Sequence, residues 1–365
     1  MARLSCGIVG LPNVGKSTLF NAVTASQAPA SNYPFCTIDP NVGTVEVLDS
    51  RLSPLAEISR TQKIIYALTE FVDIAGLVEG ASKGEGLGNA FLTHIRQTDA
   101  IVHVVRCFES SDVIHVRGRV NPIEDIEIIN LELILSDLAS IESSIVKVEK
   151  QVKGKKELVS VLDCLIKVRD HLNKSLPVRT LTLTPEELVI MQAYPLLTGK
   201  KVLYAANVSE KDLPEMENEY VQKVREHAVK EGALVIPICA KLEEEIAQLP
   251  REERTSFLES VGLKESGLQR LIKASFEMLG LITFITTGEI ETRAWTINKG
   301  TTAQAAAGVI HSDIQKGFVR AEVIKFPDFI KYGGRVKAKE AGVCRSEGKE
   351  YIVQDGDIIL FLHSG

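Results

Sequence analysis

Near its N-terminus the chain carries a glycine-rich run that ends in a lysine and a hydroxyl residue. The run reads Gly10-Leu-Pro-Asn-Val-Gly15-Lys16-Ser17, and it lies between an apolar stretch and a helical pattern. Glycines at these positions let backbone N–H groups turn toward a phosphate, and the following helix adds its positive N-terminal end. Lys16 would bridge the β- and γ-phosphates of a nucleotide, and Ser17 would bind Mg²⁺. The spacing therefore predicts a phosphate-binding loop.

A second motif, Asp73-Ile-Ala-Gly76, directly follows the apolar run 67–72. We expect the Asp73 carboxylate to hold Mg²⁺ through water and the Gly76 N–H to sense the γ-phosphate. Thr37 is our candidate for a third Mg²⁺ contact from a loop that changes with nucleotide state, although any hydroxyl in that loop would serve. Residue 77 is leucine, where many nucleotide switches carry a glutamine that orients the attacking water. Because leucine cannot make that hydrogen bond, slow intrinsic hydrolysis is expected.

The residues Asn207-Val208-Ser209-Glu210 follow the predicted strand 202–206 and should read the base. A guanine-specific site would carry Asn-Lys-x-Asp here, whereas this chain lacks the lysine and has a longer acid. The Asn207 amide suits the N6 and N7 edge of adenine. Cys239-Ala240-Lys241 follows the next strand and should close the pocket over the base. The residues expected to contact the nucleotide are Asn13, Val14, Gly15, Lys16, Ser17, Thr18, Gly76, Asn207, Val208, Glu210, Cys239, Ala240 and Lys241. Asn13 is either a ligand for a monovalent cation such as K⁺ or a turn-forming residue.

Short apolar runs that alternate with helical patterns must position these motifs. The runs are 4–9, 42–48, 67–72, 100–105, 202–206 and 234–239, and this rhythm predicts an α/β fold with a mostly parallel sheet. Between about residues 123 and 200 the pattern changes to two heptad seams joined at Gly154, which predicts an inserted antiparallel helical hairpin. The first seam is Leu131, Ile134, Leu138, Ile141, Ile145, Val148 and Val152. From residue 281 strand-like runs at 282–287, 294–297, 350–353 and 358–362 predict a small α+β module.

Composition restricts the protein classes further. The chain has 365 residues and 45% apolar content, so two or three domains are expected. Its net charge is −6, and we therefore do not expect it to bind nucleic acid through its overall charge. Six cysteines show no zinc-type spacing, which indicates a reducing compartment. No signal peptide and no apolar run of about 18 residues is visible. We therefore expect a cytoplasmic protein that does not associate with membranes.

Taken together, Gly10–Ser17, 33–41, Asp73–Gly76, 207–210 and 239–241 resemble the YchF family, the Obg-like ATPases of the translation-factor-related class. The resemblance covers essentially the whole chain. It implies an OBG-type G domain of the P-loop NTPase fold over residues 1–280, interrupted by the helical coiled-coil insertion, and a TGS domain of β-grasp fold over residues 281–365. It also implies a preference for ATP over GTP and association with ribosomes.

The resemblance further implies a histidine that replaces the missing glutamine in catalysis. The family segment Arg-Cys-Phe-Glu, followed after a polar turn by Ile-His-Val, matches residues 106–109 and 114–116, so the role falls on His115. From the residues alone, His115 would be a surface or half-buried histidine without a catalytic role.

Two basic islands lie outside the nucleotide motifs. Residues 147–179 hold nine Lys/Arg against four acids, and residues 316–345 hold eight against three. They either contact ribosomal RNA or form ordinary solvated helix faces. Three functions stay open from the sequence: a slow ATPase that acts as a nucleotide-dependent switch on a ribosome or regulatory partner, a guanine-specific translational GTPase, and a non-catalytic module that uses nucleotide as a structural ligand.

Overall fold

The computed structural model describes residues 4–28, 41–74, 87–110, 119–152 and 154–364. Its strands are β1 (Ser5–Val9), β2 (Val42–Val47), β3 (Lys63–Ile65), β4 (Ala67–Asp73), β5 (Ala100–Arg106), β6 (Lys201–Asn207), β7 (Leu234–Ile238), β8 (Leu281–Thr287), β9 (Glu291–Asn298), β10 (Phe318–Lys325), β11 (Arg345–Glu347) and β12 (Asp357–His363). Its helices are α1 (Lys16–Ala25), α2 (Leu52–Ser59), α3 (Leu87–Gln97), α4 (Pro122–Val152), α5 (Val159–Leu172), α6 (Pro185–Met191), α7 (Glu219–Glu231), α8 (Ala240–Gln248), α9 (Arg251–Ser260), α10 (Gly267–Met278), α11 (Ala303–Ile310), α12 (Ser312–Lys316), α13 (Phe326–Tyr332) and α14 (Arg335–Glu340).

The predicted nucleotide-binding region contains a six-stranded sheet in the order β2-β4-β1-β5-β6-β7, which we call the N-terminal sheet. All neighbouring strands are parallel except β2 and β4, which confirms the expected mostly parallel α/β fold. The central strands β1 and β5 are buried along their whole length, as expected where helices cover both faces. Parallel strands place their carboxyl ends at one edge, so the loops after β1, β4, β5, β6 and β7 meet there.

Two long helices, α4 and α5, form the predicted hairpin between β5 and β6. Most of the first predicted seam is buried between them, including Ile134 and Ile141, which pack in one cluster with Leu165 of α5. Leu131 is an exception, because 46% of it is exposed. The first half of α4 instead turns Ile129 toward the core of the N-terminal sheet. Even α4, with 31 residues, does not have the apolar character of a membrane span, and neither does any other helix within the described ranges.

The C-terminal module contains a second sheet in the order β11-β10-β12-β8-β9-β3, which we call the C-terminal sheet. Strands β8, β9 and β12 and helix α11 confirm the expected α+β character. The expected strand at 350–353 is wrong, since Ile352 makes only an isolated bridge with Thr302. Strand β3 comes from the N-terminal part of the chain and pairs in parallel with β9. Residues 63–65 therefore complete a sheet that otherwise lies beyond residue 281.

An arginine fork joins the two sheets. The Arg51 guanidinium binds Asp49, two residues before it in sequence, and it also bonds to Asp355 at 2.7 Å and to the Thr283 hydroxyl at 3.1 Å. Bidentate arginine–carboxylate contacts fix orientation as well as position. The C-terminal sheet is thus attached to the N-terminal sheet through both β3 and Arg51. The boundary at residue 281 and the TGS identity of the module stay predictions.

Candidate active site

The loop between β1 and α1 has the geometry that a phosphate-binding loop requires. Gly15 has a left-handed backbone with φ of 94°, and a Cβ there would overlap the Asn207 Nδ2 atom. A Cβ at Gly10 would lie 2.8 Å from the Val14 side chain and 2.9 Å from the Val104 carbonyl oxygen. Only glycine fits both positions. Helix α1 then begins at Lys16, so its free N–H groups point out of the loop.

Lys16 and Asp73 come together at the carboxyl edge of the N-terminal sheet. The Lys16 Nζ atom forms an ion pair with Asp73 Oδ1, and the two side chains are only 11% and 25% exposed. Asp73 ends β4, and its backbone N–H donates to the Asn41 carbonyl at 2.8 Å. The structure therefore brings the predicted phosphate lysine and the predicted metal carboxylate side by side. We call the loop 10–17 together with Asp73 the phosphate end of the site.

A cleft of about 990 Å³ opens from the phosphate end, a volume suited to a small-molecule ligand. Its lining comes from the segments that follow four strands, β1, β5, β6 and β7, at the carboxyl edge of the sheet. The lining residues are Leu11, Pro12, Asn13, Gly15, Lys16, Ser17, Thr18, Phe108, Glu109, Ser110, Asn207, Val208, Ser209, Glu210, Lys211, Cys239, Ala240, Lys241 and Glu244. Most of the predicted nucleotide contacts therefore lie around one cleft. We call residues 207–211 and 239–241 its base end.

At the base end the Asn207 side chain holds the cleft together. Asn207 is buried, its Nδ2 donates to the Val14 carbonyl at 2.8 Å, and its Oδ1 accepts from the Ala240 N–H at 3.0 Å. The amide thus connects the phosphate-binding loop to the start of α8. Its pairing with adenine stays a prediction, and only the second Nδ2 hydrogen and the second Oδ1 lone pair remain for it.

The two base-end loops are also joined by an ion pair that sequence patterns did not reveal. Lys241 Nζ lies 2.8 Å from Glu210 Oε2, and the hydrogen bond to Glu210 raises the pKa of Lys241. Cys239 is buried, and burial raises the pKa of its thiol. Val208 is buried as well, and its N–H donates to the Ile238 carbonyl at 2.9 Å. Because of the ion pair, the Glu210 carboxylate, which would accept hydrogen bonds from guanine N–H groups, is already bound to Lys241.

A further part of the cleft lining, residues 108–110, follows Cys107 just after β5. The Cys107 N–H donates to the Asn207 carbonyl at 2.8 Å, and the Cys107 carbonyl accepts from Asn218 Nδ2 at 2.8 Å. The Tyr220 hydroxyl donates to Glu109 at 2.6 Å, which raises the pKa of Tyr220. Asn218 also caps α7. The cap position can be found from sequence, but contacts across 111 residues of chain cannot.

Several predicted site residues lie outside the described ranges. They are Thr37, Gly76, Leu77 and His115. Their roles stay predictions. Asn13 is described and has a left-handed backbone with φ of 64°, which agrees with a turn-forming role. Its role as a K⁺ ligand stays a prediction.

The residues at the phosphate end fit Mg²⁺. This ion keeps several waters, takes phosphate oxygens and needs only one or two protein ligands. Ser17 lies on the cleft surface and the Asp73 carboxylate lies beside Lys16. Among the described residues there is no cluster of three or more His, Cys, Asp and Glu that would form an all-protein metal site. The donor set thus suits an ion that arrives with a nucleotide.

Comparisons with known proteins agree with this geometry. A family model described as a 50S ribosome-binding GTPase matches residues 5–137. Another, named for the C-terminal part of YchF GTPases and described as a protein of unknown function, matches residues 281–364. The first model covers the phosphate-binding loop and Asp73, and the second covers most of the C-terminal sheet.

Full-length relatives are similar over nearly the entire chain. The protein named Ribosome-binding ATPase YchF from Bacillus subtilis (strain 168) is 54% identical over 360 residues, which cover 98% of each chain. Its namesake from Escherichia coli O157:H7 is 53% identical over 358 residues, again 98% of each chain. The solved structure of the Schizosaccharomyces pombe YchF GTPase matches with a TM-score of 0.88 and 38% identity, covering 99% of this chain and 98% of the other. The chain belongs to the YchF family.

Proposed function

We propose that the protein is a slow, Mg²⁺-dependent ATPase that prefers ATP to GTP and acts as a nucleotide-dependent switch on the ribosome. The observation that carries the proposal is the pairing of Lys16 with Asp73 beside a helix N-terminus at the floor of the cleft. Lys16 and the helix N-terminus would neutralise phosphate charge, and Asp73 would help to hold the Mg²⁺ that does the same. The bacterial relatives are named ribosome-binding ATPases, which supports both the reaction and the partner.

The side-chain contacts at the base end support a preference for ATP. Guanine presents N–H donors at N1 and N2 that need a free carboxylate, and Glu210 is already bound to Lys241. Adenine lacks both of these donors and therefore leaves the ion pair undisturbed. The solved relative is called a GTPase, however, so a guanine-specific enzyme is the second candidate.

In the proposed mechanism, the predicted site residues have separate tasks. Lys16 and the free N–H groups of α1 bind the β- and γ-phosphates and stabilise charge on the leaving oxygens. Ser17 and Asp73, with Thr37, would hold Mg²⁺, which neutralises charge on the β- and γ-phosphate oxygens when it is bound. Leu77 cannot orient the water, so His115 is proposed to do so.

The ribosome is the proposed partner, and a cytoplasmic location follows from it. The names of the relatives support the ribosome as the partner. The basic islands 147–179 and 316–345 are the proposed RNA-contacting parts of the chain. Loops that meet the γ-phosphate would differ between the ATP and ADP states and so change ribosome affinity.

Phosphate release from ATP by the purified protein tests the proposed reaction. We expect many turnovers per protein without a partner, and loss of turnover when EDTA removes Mg²⁺. A single turnover or none would favour the non-catalytic nucleotide-binding module. Faster turnover with GTP than with ATP would favour the guanine-specific enzyme.

The catalytic role of His115 is tested by His115→Ala. We expect turnover to fall by about 100-fold, the lower range for general acid–base groups, while ATP affinity stays nearly constant. His311→Ala is the matched control, because His311 is 63% exposed and lies in the C-terminal module. Equal rates in wild type and His115→Ala would remove the role from this residue.

A further inference from the structure

The segment after β5, residues 108–110, lies in the middle of the cleft lining. In the N-terminal sheet, β5 stands between β1 and β6. The segment after β1 forms the phosphate end of the cleft, and the segments after β6 and β7 form the base end. In a nucleotide the ribose joins the phosphates to the base. Because the carboxyl ends of parallel strands meet at one edge, the strand order places residues 108–110 beside the ribose of a bound nucleotide.

Contacts from a strand and from a helix hold this middle segment. At the end of β5, the Arg106 Nε atom donates to the Phe108 carbonyl at 3.0 Å, and the guanidinium lies 4.7 Å from the centre of the Phe108 ring. Arg106 is buried, so it is a fixed support. At the start of α7, Asn218 Nδ2 donates to the Cys107 carbonyl at 2.8 Å. The backbone that carries Glu109 is therefore anchored at the residues before it.

The Glu109 carboxylate is both oriented and available. The Tyr220 hydroxyl, in the first turn of α7, donates to Glu109 Oε1 at 2.6 Å. Glu109 is exposed and lies on the cleft surface. An ionised carboxylate offers about four acceptor positions, and the bond from Tyr220 occupies one of them. Glu109 can therefore accept further hydrogen bonds from a ligand while Tyr220 sets its direction.

Two further acids among the described residues line the cleft, and each is held in another place. Glu210 is paired with Lys241 at the base end. Glu244 accepts from Asn21 Nδ2 at 2.9 Å, which joins it to α1. Ribose hydroxyls can donate hydrogen bonds, and lysine side chains cannot accept them. Glu109 is thus the described lining acid whose position and acceptor atoms suit the sugar.

We propose that Glu109 is a specificity-determining residue that accepts hydrogen bonds from the 2′- and 3′-hydroxyls of the ribose, with Tyr220 as its positioning residue. The two neighbouring hydroxyls present two donors to the two oxygens of one carboxylate. An acidic residue binds the 2′-hydroxyl in the same way in dinucleotide-binding folds. The site therefore selects ribonucleotides. This contact rests on the proposed nucleotide ligand, but it depends neither on hydrolysis nor on which base is bound.

Calorimetric binding of ADP and of 2′,3′-dideoxy-ADP to the full-length protein, with Mg²⁺ present, tests the contact. ADP avoids turnover during the titration. We expect the wild type to bind ADP about tenfold more tightly than the dideoxy analogue, as for a hydrogen bond to a charged group. Glu109→Ala should bind both nucleotides equally, with the affinity that the wild type has for the analogue. Glu109→Gln keeps one acceptor oxygen and should retain part of the preference.

Tyr220→Phe tests the positioning role, because it removes only the hydroxyl that donates to Glu109. The preference for ADP over the dideoxy analogue should fall by about threefold, while the affinity for the analogue stays constant. A merely structural role would weaken both nucleotides alike. Glu219→Ala is the matched control, since it removes an exposed carboxylate from the same turn of α7 but outside the cleft lining. It should keep the full tenfold preference.

Equal binding of ADP and its dideoxy analogue by the wild type, or an undiminished preference in Glu109→Ala, would overturn the ribose contact. GDP and dideoxy-GDP should differ by the same factor as the adenine pair, because the ribose is common to both. Tighter binding of GDP than of ADP would contradict the proposed adenine preference and leave the ribose ratio readable. A wild type without ATP turnover would contradict the hydrolase proposal alone, since the ratio is measured by binding.

Discussion

The phosphate end and the base end of the cleft are built in different ways. At the phosphate end, glycine backbone and the start of α1 create the binding surface, and a Cβ at Gly10 or Gly15 would destroy it. At the base end, side chains from two distant loops create it through the Glu210–Lys241 pair and the Asn207 amide. Backbone geometry recognises a group common to all nucleotides, whereas side-chain pairs can select among bases. We propose that this difference separates affinity for phosphate from choice of nucleotide.

The largest effect is expected where the two ends touch. Gly15→Ala would drive a Cβ into Asn207, which cannot withdraw because Val14 and Ala240 hold its amide. We expect ATP affinity to fall by about 100-fold, as measured by titration with a fluorescent ATP analogue.

Gly232→Ala is the control for backbone strain in this experiment. Gly232 also has a left-handed backbone, with φ of 64°, but no atom lies within 4 Å of its Cβ position. It should lose only about 1 kcal/mol of stability and no ATP affinity. Similar ATP affinities in the two variants would show that the contact with Asn207 does not shape the phosphate end.

An intermediate effect is expected when the connection between the two ends is removed. Asn207→Ala leaves the Val14 carbonyl and the Ala240 N–H without their partners in the buried part of the cleft. We expect the free energy of unfolding to fall by about 2 kcal/mol, and the affinities for ATP and GTP to fall together. Urea denaturation and nucleotide titration check this. Asn298→Ala, at an exposed position, is the control. Loss of ATP affinity alone would show instead that Asn207 reads the base.

The smallest effect is expected at the exposed ion pair. Lys241→Met frees the Glu210 carboxylate to accept from guanine, so the ratio of GTP affinity to ATP affinity should rise by about threefold. The rise should vanish in the double variant Lys241→Met/Glu210→Gln. Lys211→Met removes a charge from the lining of the same cleft and should leave the ratio unchanged. An equal shift from Lys211→Met would attribute the effect to overall charge.

The phosphate end could be predicted from sequence because its determinants are local. The motif 10–17 and Asp73 each follow a strand, and neighbouring strands of a parallel sheet bring such residues together. The Glu210–Lys241 pair could not be predicted, because its members are exposed side chains 31 residues apart, one after β6 and the other in the first turn of α8. The motif alone therefore predicts which residues read the base, but not the ion pair that Glu210 makes.

The fold, too, could be predicted where the sequence pattern is local, but not where it depends on long-range contacts. Apolar runs predicted six strands of the N-terminal sheet and the helical hairpin, since burial imposes a clear period on them. The short strand β3 carries a weak pattern and pairs with β9, more than two hundred residues away. Leu131 has the heptad spacing, but α4 turns its buried side from the hairpin toward the N-terminal sheet in this region. Long-range packing decided both cases.

We propose that the base end selects adenine because Glu210 is already paired with Lys241. Binding of ATP and GTP to the wild-type protein, measured side by side by calorimetry with Mg²⁺ present, tests it most directly. We predict that ATP binds about threefold more tightly, the same factor that the Lys241→Met variant should remove. Equal affinities, or tighter binding of GTP, would contradict the claim.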